Sequence, residues 1–298
     1  MKTLIRGEVI NMERYKIDFT VSGKPAEHTL TRMHQSDCTM IGGQIPKSID
    51  RTKMFDNYII YKRCEIRHNL PSGEGGRKPE KDFRFVDGEK IVFGEIFGEV
   101  CETYNRRQKR KDRQKTSDTY YDKCRKRWQK TYDTWNALPK GEAKDKAYKK
   151  IFNYSKEITI RIGSDSKKCP TKMQMDEFGR KFFDWFRGRF PQMAPFIAVV
   201  LYDEMVQKTE NKEKKWVNLA PSLHIGFIPV AYNQDGKAMD KVVAWNRCLA
   251  QSMKGSEQDY KGFAFSGFRR EVLQGCARIA KEIGFGIEFV SCDDNLEG

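Results

Sequence analysis

The chain has few histidines, no closely spaced cysteine pair and no long apolar segment. Its eight cysteines are scattered without a CxxC pair, which argues against a zinc ribbon or a disulfide framework and for reduced thiols. No segment near the start has the apolar core of a secretion signal, and none reaches the roughly 18 apolar residues of a membrane span. Walker-type and GxGxxG loops are missing too, which excludes the commonest nucleotide-binding enzymes. We therefore expect a cytoplasmic protein without a membrane partner.

Positive charge is what the chain has in excess. There are 56 Lys and Arg against 41 Asp and Glu, which gives a net charge of +15 over 298 residues. Such a balance favours a polyanionic partner, although charge can also serve solubility alone. The excess is concentrated in residues 105–150, where 17 Lys and Arg against 6 Asp and Glu leave +11.

Residues 105–135 contain no Gly or Pro and are rich in helix formers, which predicts one long helix. The apolar stripe of this helix is thin and consists mainly of Tyr and Trp. Cations interleaved with aromatic rings suit an arm that lies on a phosphate backbone, whereas a solvated spacer is the alternative. The candidate nucleic-acid contacts on this arm are basic: Arg106, Arg107, Lys109, Arg110, Arg113, Arg125, Lys126 and Arg127.

The C-terminal half mixes strands and helices without a regular βαβ repeat. The runs FIAVVLY (196–202) and LHIGFIPVA (223–231) predict buried, antiparallel neighbouring strands, and residues 171–190 predict a helix capped by Thr171. Two further helices are expected around 238–253 and 267–283. This order predicts an α+β fold with a mostly antiparallel sheet that helices cover on one face.

Polar residues follow the first of these strands and begin the second. If the two strands pair, Asp203, Glu204 and His224 converge at one end of the sheet. A combination of carboxylate and imidazole suits Mg²⁺ or Mn²⁺ only weakly and zinc only with further help, because three ligands are usually needed. The simpler interpretation is a surface acid pair and a histidine that is hydrogen-bonded within the sheet.

Three blocks of sequence resemble the plasmid mobilisation and recombination relaxases of the Pre/Mob (MobV-type) group. The blocks are YNRRQKRKDR (104–113), the IDRT…N element that contains Arg51 and Asn57, and IAVVLYDE…PSLHIGFIPV (197–230). Their order and spacing agree over about residues 28–290. The resemblance implies the ferredoxin-like sheet of the HUH endonucleases, a divalent cation (Mn²⁺ or Mg²⁺) and single-stranded or hairpin DNA from a plasmid origin. It also assigns Arg51 and Asn57 to nucleic-acid contacts, and residues 1–100 and 151–298 to two parts of a relaxase domain around the arm at 101–150.

The metal motif departs from the family pattern HxDExTPHxH. Leu201 stands at the first histidine position and Ser222 at the second, whereas Asp203, Glu204 and His224 remain. The stretch 205–220 replaces two residues of the family. Leucine has no lone pair to donate, so the cation is expected to bind weakly or not at all.

The nucleophile block departs as well. The family has a histidine, then Asn, then Arg three residues on. Here EHTLTR provides His28 and Arg32, with Thr29 in place of Asn, and His34 is a second candidate nucleophile.

Three functions are compatible with these patterns. The first is a relaxase-fold protein that binds single-stranded DNA, or RNA, and has impaired or lost metal-dependent nicking. The second is an active relaxase that uses Asp203, Glu204 and His224 for the cation and His28 or His34 as nucleophile. The third is an adaptor whose basic helix contacts RNA or another protein, including proteins of a mobile element.

Overall fold

The computed structural model describes residues 3–5, 8–10, 13–22, 38–43, 86–164, 168–202, 205–210, 213–233, 238–253 and 264–289. The fold of this part of the chain is α+β, as expected. The strands are β1 (Thr3–Ile5), β2 (Glu8–Ile10), β3 (Arg14–Ser22), β4 (Cys38–Gly43), β5 (Lys156–Ile162), β6 (Met193–Leu201), β7 (Met205–Glu210), β8 (Glu213–Asn218), β9 (Ser222–Tyr232), β10 (Lys241–Val243) and β11 (Gly286–Phe289). The helices are α1 (Val86–Arg106), α2 (Ser117–Asn136), α3 (Glu142–Lys149), α4 (Lys172–Arg189), α5 (Trp245–Ser252) and α6 (Ala264–Ile283), with a short 3₁₀ helix at Lys111–Arg113.

The central sheet has the order β11-β3-β5-β9-β6-β4, and β10 also pairs with β9. All of its pairs are antiparallel except β11 beside β3, which is parallel. The predicted pairing of the two apolar strands is confirmed, because Leu201 lies opposite Ser222 and Val199 lies opposite His224. Two hairpins, β1–β2 and β7–β8, are separate from this sheet.

One face of the sheet packs against α4 and α6. Alternate residues of β9, among them Leu223, Ile225 and Phe227, enter a core with the aromatic stripe of α4. Helix α4 begins where the sequence predicts. The Thr171 hydroxyl accepts from the Gln174 amide, and the Gln174 side chain accepts in return from the Thr171 amide.

The other face of the sheet carries α1 and α2. Val199 and Leu201 of β6 join a second core with Phe93 and Phe97 of α1 and Tyr121 of α2. The expectation that helices cover only one face is therefore wrong. The physical reason is that β6 is apolar at consecutive positions, so both of its faces need a covering layer.

The single long helix expected over 105–135 is also wrong, because α1 ends at Arg106 and α2 begins at Ser117. The Asn105 side chain fixes the intervening loop: its amide donates to the Lys115 carbonyl (2.7 Å), and its oxygen accepts from the Lys115 amide (2.8 Å). A capping box at Thr116 then starts α2. Dense like charge along the loop also disfavours a continuous helix.

One other predicted helix differs in its bounds. The helix expected around 238–253 begins only at Trp245, because β10 pairs with β9 just before it. Within the segment 205–220, for which the sequence predicts no structure, β7 and β8 pair antiparallel.

Candidate nucleic-acid interface

A groove of about 700 Å³ lies at the end of the sheet where β5 begins. Four separate parts of the chain line it: the end of β3, the C-terminal half of α2, residues 148–156, and the β10–α5 junction. The groove therefore lies between the helices of the two faces, and it exists only once the sheet has brought these segments together.

A row of aromatic rings runs along one wall of the groove. Trp128 and Tyr132 are stacked with ring centres 5.2 Å apart and ring planes 24° apart. Tyr132 lies 5.3 Å from Trp135, and Trp135 lies 5.7 Å from Tyr148. The first three belong to α2 at spacings of four and three residues, which place them on one face of the helix. Tyr148 ends the row and is 57% exposed.

The charged side chains that line the groove are all basic. They are Arg127, Lys149, Lys150, Lys156 and Arg247, and no carboxylate is among the described residues of the lining. The Arg127 guanidinium lies 4.3 Å from the centre of the Phe152 ring, and the Lys144 ammonium lies 5.0 Å from that of Trp135. In such an arrangement, the aromatic rings can stack with bases while the neighbouring cations neutralise phosphates.

Lys156 is the one buried cation of the lining. It is 9% exposed, and its ammonium nitrogen lies 5.1 Å from the centre of the Trp245 ring. Burial lowers the pKa of Lys156 to about 8, since desolvation disfavours the charged form. Within the described part of the chain, no carboxylate forms an ion pair with it.

The structure places the predicted basic contacts in two groups. The first group surrounds the α1–α2 loop and the second lies on α2; all of them are exposed: Arg106, Arg107, Lys109, Arg110 and Arg113, and then Arg125, Lys126 and Arg127. Two members of the first group form ion pairs, Arg107 with Asp240 (2.8 Å) and Arg110 with Asp112 (2.6 Å). Only Arg127 also lines the groove.

His224 lies inside the sheet and is 1% exposed. Its Nε2 is 2.9 Å from the Ser222 hydroxyl, and its Nδ1 is 2.8 Å from a Glu157 carboxylate oxygen and 3.3 Å from the Thr159 hydroxyl. Both ring nitrogens thus have partners, as the simpler interpretation expects for this histidine. The order serine, imidazole, carboxylate is that of a hydrolase triad, but Ser222 is 0% exposed, so its hydroxyl is not accessible to a substrate. The contacts of His224 with Glu157 and Thr159 join β9 to β5.

Leu201 and Ser222, the two positions at which the resemblance would place metal-binding histidines, lie side by side. Leu201 is directly opposite Ser222, on the face of the sheet that also carries His224. Leu201 is fully buried in the second core, among apolar side chains. The other candidate residues lie outside the described part of the chain. They are the metal candidates Asp203 and Glu204, the nucleophile-block residues His28, Arg32 and His34, and the nucleic-acid contacts Arg51 and Asn57.

The sequence reasoning missed Lys156 and Trp245, which form the floor of the groove, and Glu157, which binds His224. One signal for Lys156 was available. Lys156 lies on the same face of β5 as Ile158 and Ile160, which are both 0% exposed. A lysine on the buried face of a strand is unusual. Glu157 carried no such signal, because its partner is 67 residues away in the chain.

The chain matches no protein-family model, and comparisons with curated proteins and with solved structures also find no match. Among the described residues, no three His, Cys, Asp or Glu side chains are grouped so that they can hold a metal ion. In the same part of the chain, no helix combines the length and the apolar character that a bilayer crossing demands.

Proposed function

We propose that the protein binds single-stranded DNA and that the groove at the start of β5 is the principal contact. The observation that carries this proposal is the row of four rings, Trp128, Tyr132, Trp135 and Tyr148, in a groove whose charged lining is entirely basic among the described residues. Stacking is available to every base, and the net charge of +15 favours any polyanion, so the expected binding has little sequence preference.

Unpaired bases suit the groove better than a duplex does. In a duplex, the faces of the bases are stacked on one another and only their edges reach the grooves. A ring such as Tyr148, which is more than half exposed, offers a face to a base that is already unstacked. The same argument applies to single-stranded RNA, which is therefore the second ligand to test.

We further propose that the protein has a relaxase-like fold and that its metal-dependent nicking activity is impaired or lost. The donor set supports this proposal: Leu201 supplies no lone pair, and the His224 imidazole is engaged on both nitrogens by Glu157 and Ser222. These residues do not fit the three-imidazole cation site of the Pre/Mob family. An active relaxase would need metal-ligating side chains, and Leu201 cannot serve as one.

Fluorescence anisotropy with a labelled oligonucleotide of about 16 nucleotides tests the binding proposal. Affinity should fall steeply as salt is raised, with a slope set by the number of neutralised phosphates. The triple variant Arg127→Glu, Lys149→Glu, Lys150→Glu should bind far more weakly than the wild type. The control is Arg180→Glu on α4, which is exposed and lies outside the groove, compared with Lys150→Glu alone as the single charge reversal inside it. Absence of binding at about 50 mM salt, or equal affinity of the triple variant and the wild type, would contradict the proposal.

A cleavage assay tests the loss of nicking separately. We expect neither Mn²⁺-dependent cleavage of an origin-like oligonucleotide nor a covalent protein–DNA adduct on a denaturing gel. An adduct that disappears in His28→Ala or His34→Ala would instead establish an active relaxase, and it would leave the binding proposal unaffected.

A further inference from the structure

The start of α5 leaves backbone donors available in the groove. Its N-cap residue is Ala244, which has no side-chain acceptor, and its first turn has no acidic residue. The amides of Trp245, Asn246 and Arg247 donate to no group in the described part of the chain. All three residues line the groove. The positive end of the helix dipole and three such amides are a favourable arrangement for an anion.

Lys156 provides a second, independent feature at the same place. Its side chain is more than nine-tenths buried, lines the same groove, and lies over the ring of Trp245, the first residue of α5. A largely buried lysine without a counter-charge is costly, because desolvation disfavours its charged form. An anion bound in the groove would supply that missing partner.

We propose that the first turn of α5 and the ammonium group of Lys156 form a binding site for one phosphate group at the floor of the groove. This inference rests on the proposed function, since it takes the phosphate from the bound strand. The neighbouring aromatic row then stacks with bases of that strand, while the α5–Lys156 site holds its backbone. Charge-assisted hydrogen bonds from an ammonium and from amides are the strong kind that fix a phosphate in position.

A pair of variants tests the site without threatening the fold. Ala244→Asp places a carboxylate at the N-cap, where it stabilises α5 and occupies the amides that the phosphate would use. Lys156→Met keeps the length of the side chain but removes its charge. Each variant should weaken oligonucleotide binding about tenfold, the loss expected for one charge-assisted hydrogen bond, whereas Arg180→Glu should not.

Inorganic phosphate is the probe that separates the site from the strand. It should raise the thermal midpoint of the wild type above that in chloride of equal ionic strength, and this rise should fall in Ala244→Asp and in Lys156→Met to the general stabilisation that phosphate gives as an excluded salt. A rise that is unchanged in both variants, or no rise in the wild type, would overturn the site while oligonucleotide binding still stands. A third outcome is that the rise is reduced in both variants while the wild type binds no oligonucleotide. This result would support the site but overturn the proposed function, and the ligand would then be free phosphate or a phosphorylated small molecule. Equal oligonucleotide affinity of wild type and both variants would also overturn the site.

Discussion

The ammonium nitrogen of Lys156 lies 5.1 Å from the ring centre of Trp245, where the first residue of β5 meets the first residue of α5. The contact supplies the lysine with a cation–π partner but not with a negative charge. The other charges that line this groove are also cations, namely Arg127, Lys149, Lys150 and Arg247. The described residues of this lining thus bring five cations and no carboxylate together at the place where we propose that an anion binds.

Replacing Lys156 should make the protein more stable and change its response to pH. The folded-state pKa of about 8 lies below the ordinary value of 10.5, so between these values the unfolded chain holds the extra proton. Stability of the wild type should consequently rise with pH across this window, and the full penalty applies below about pH 8. Lys156→Met should raise the free energy of unfolding at pH 7 by on the order of 3 kcal/mol and remove this rise. Urea denaturation of both proteins near pH 8 and near pH 10.5 measures this difference in the free energy of unfolding.

Lys150→Met is the matched control for that experiment, because Lys150 is exposed and lines the same groove. It should leave the pH profile unchanged. A Lys156→Met protein that is less stable than the wild type at pH 7, or one that keeps the same pH profile, would show that the buried charge is not what destabilises the fold.

Removing the outermost ring of the aromatic row should weaken binding without affecting folding. Tyr148 is 57% exposed, so Tyr148→Ala should cost little stability, yet loss of a stacking partner is worth about 1–3 kcal/mol per base. We expect a roughly tenfold lower affinity for single-stranded DNA, and Tyr148→Phe should restore it. Tyr232→Ala is the control, since Tyr232 is 44% exposed and lies outside the groove. Equal losses in the two alanine variants would remove the row from the interface.

The cations of the α1–α2 loop should matter only to long strands. From the first residue of α2 to Trp128 the helix spans about 16 Å, so a strand must extend beyond the groove to reach the loop. Charge reversal at Arg106, Arg107, Arg110 and Arg113 should lower the affinity and the salt dependence for an oligonucleotide of about 16 nucleotides. The same variant should bind one of about 4 nucleotides as the wild type does. A loss for both lengths would mean that the loop and the groove act as one surface.

The Glu157–His224 pair should contribute to stability through a charge-assisted or neutral hydrogen bond in the sheet. Glu157 and His224 are 6% and 1% exposed, so a broken bond leaves a buried polar group without its partner. Glu157→Met, which removes the acceptor, should lower the free energy of unfolding by about 1–3 kcal/mol in urea denaturation. Glu288→Met on the exposed edge strand β11 should change it by less than about 0.5 kcal/mol. Similar values for the two variants would contradict a structural role of this hydrogen bond.

Local pattern was enough to predict the main strands and several helices. The alternation of Leu223, Ile225 and Phe227 and the cap at Thr171 are signals contained in a few consecutive residues, and the structure has both elements where they were expected. The helix break after Arg106 was not predictable in this way, because neither Gly nor Pro marks it. It depends on the hydrogen bonds of Asn105 with Lys115, ten residues away.

The groove was beyond prediction for a related reason. Trp135 and Tyr148 were visible as part of an aromatic, basic stretch, but their partners Lys156 and Trp245 come from β5 and α5. Only the order of strands in the sheet brings these segments together, and that order is a property of long-range pairing. The pairing of β6 with β9 was the reverse case, because two apolar runs of similar length predicted it, although the register that places Leu201 opposite Ser222 came only with the structure.

Strand β5 has the groove at its first residue, Lys156, and faces Ser222 of β9 near its last, at Arg161. At about 3.3 Å per residue, the two ends are roughly 17 Å apart. Substitutions separated by more than about 10 Å and without shared partners usually act independently. The polar residues beside Ser222 and the cations beside Lys156 can therefore change separately, each without altering what the opposite end of the strand contacts.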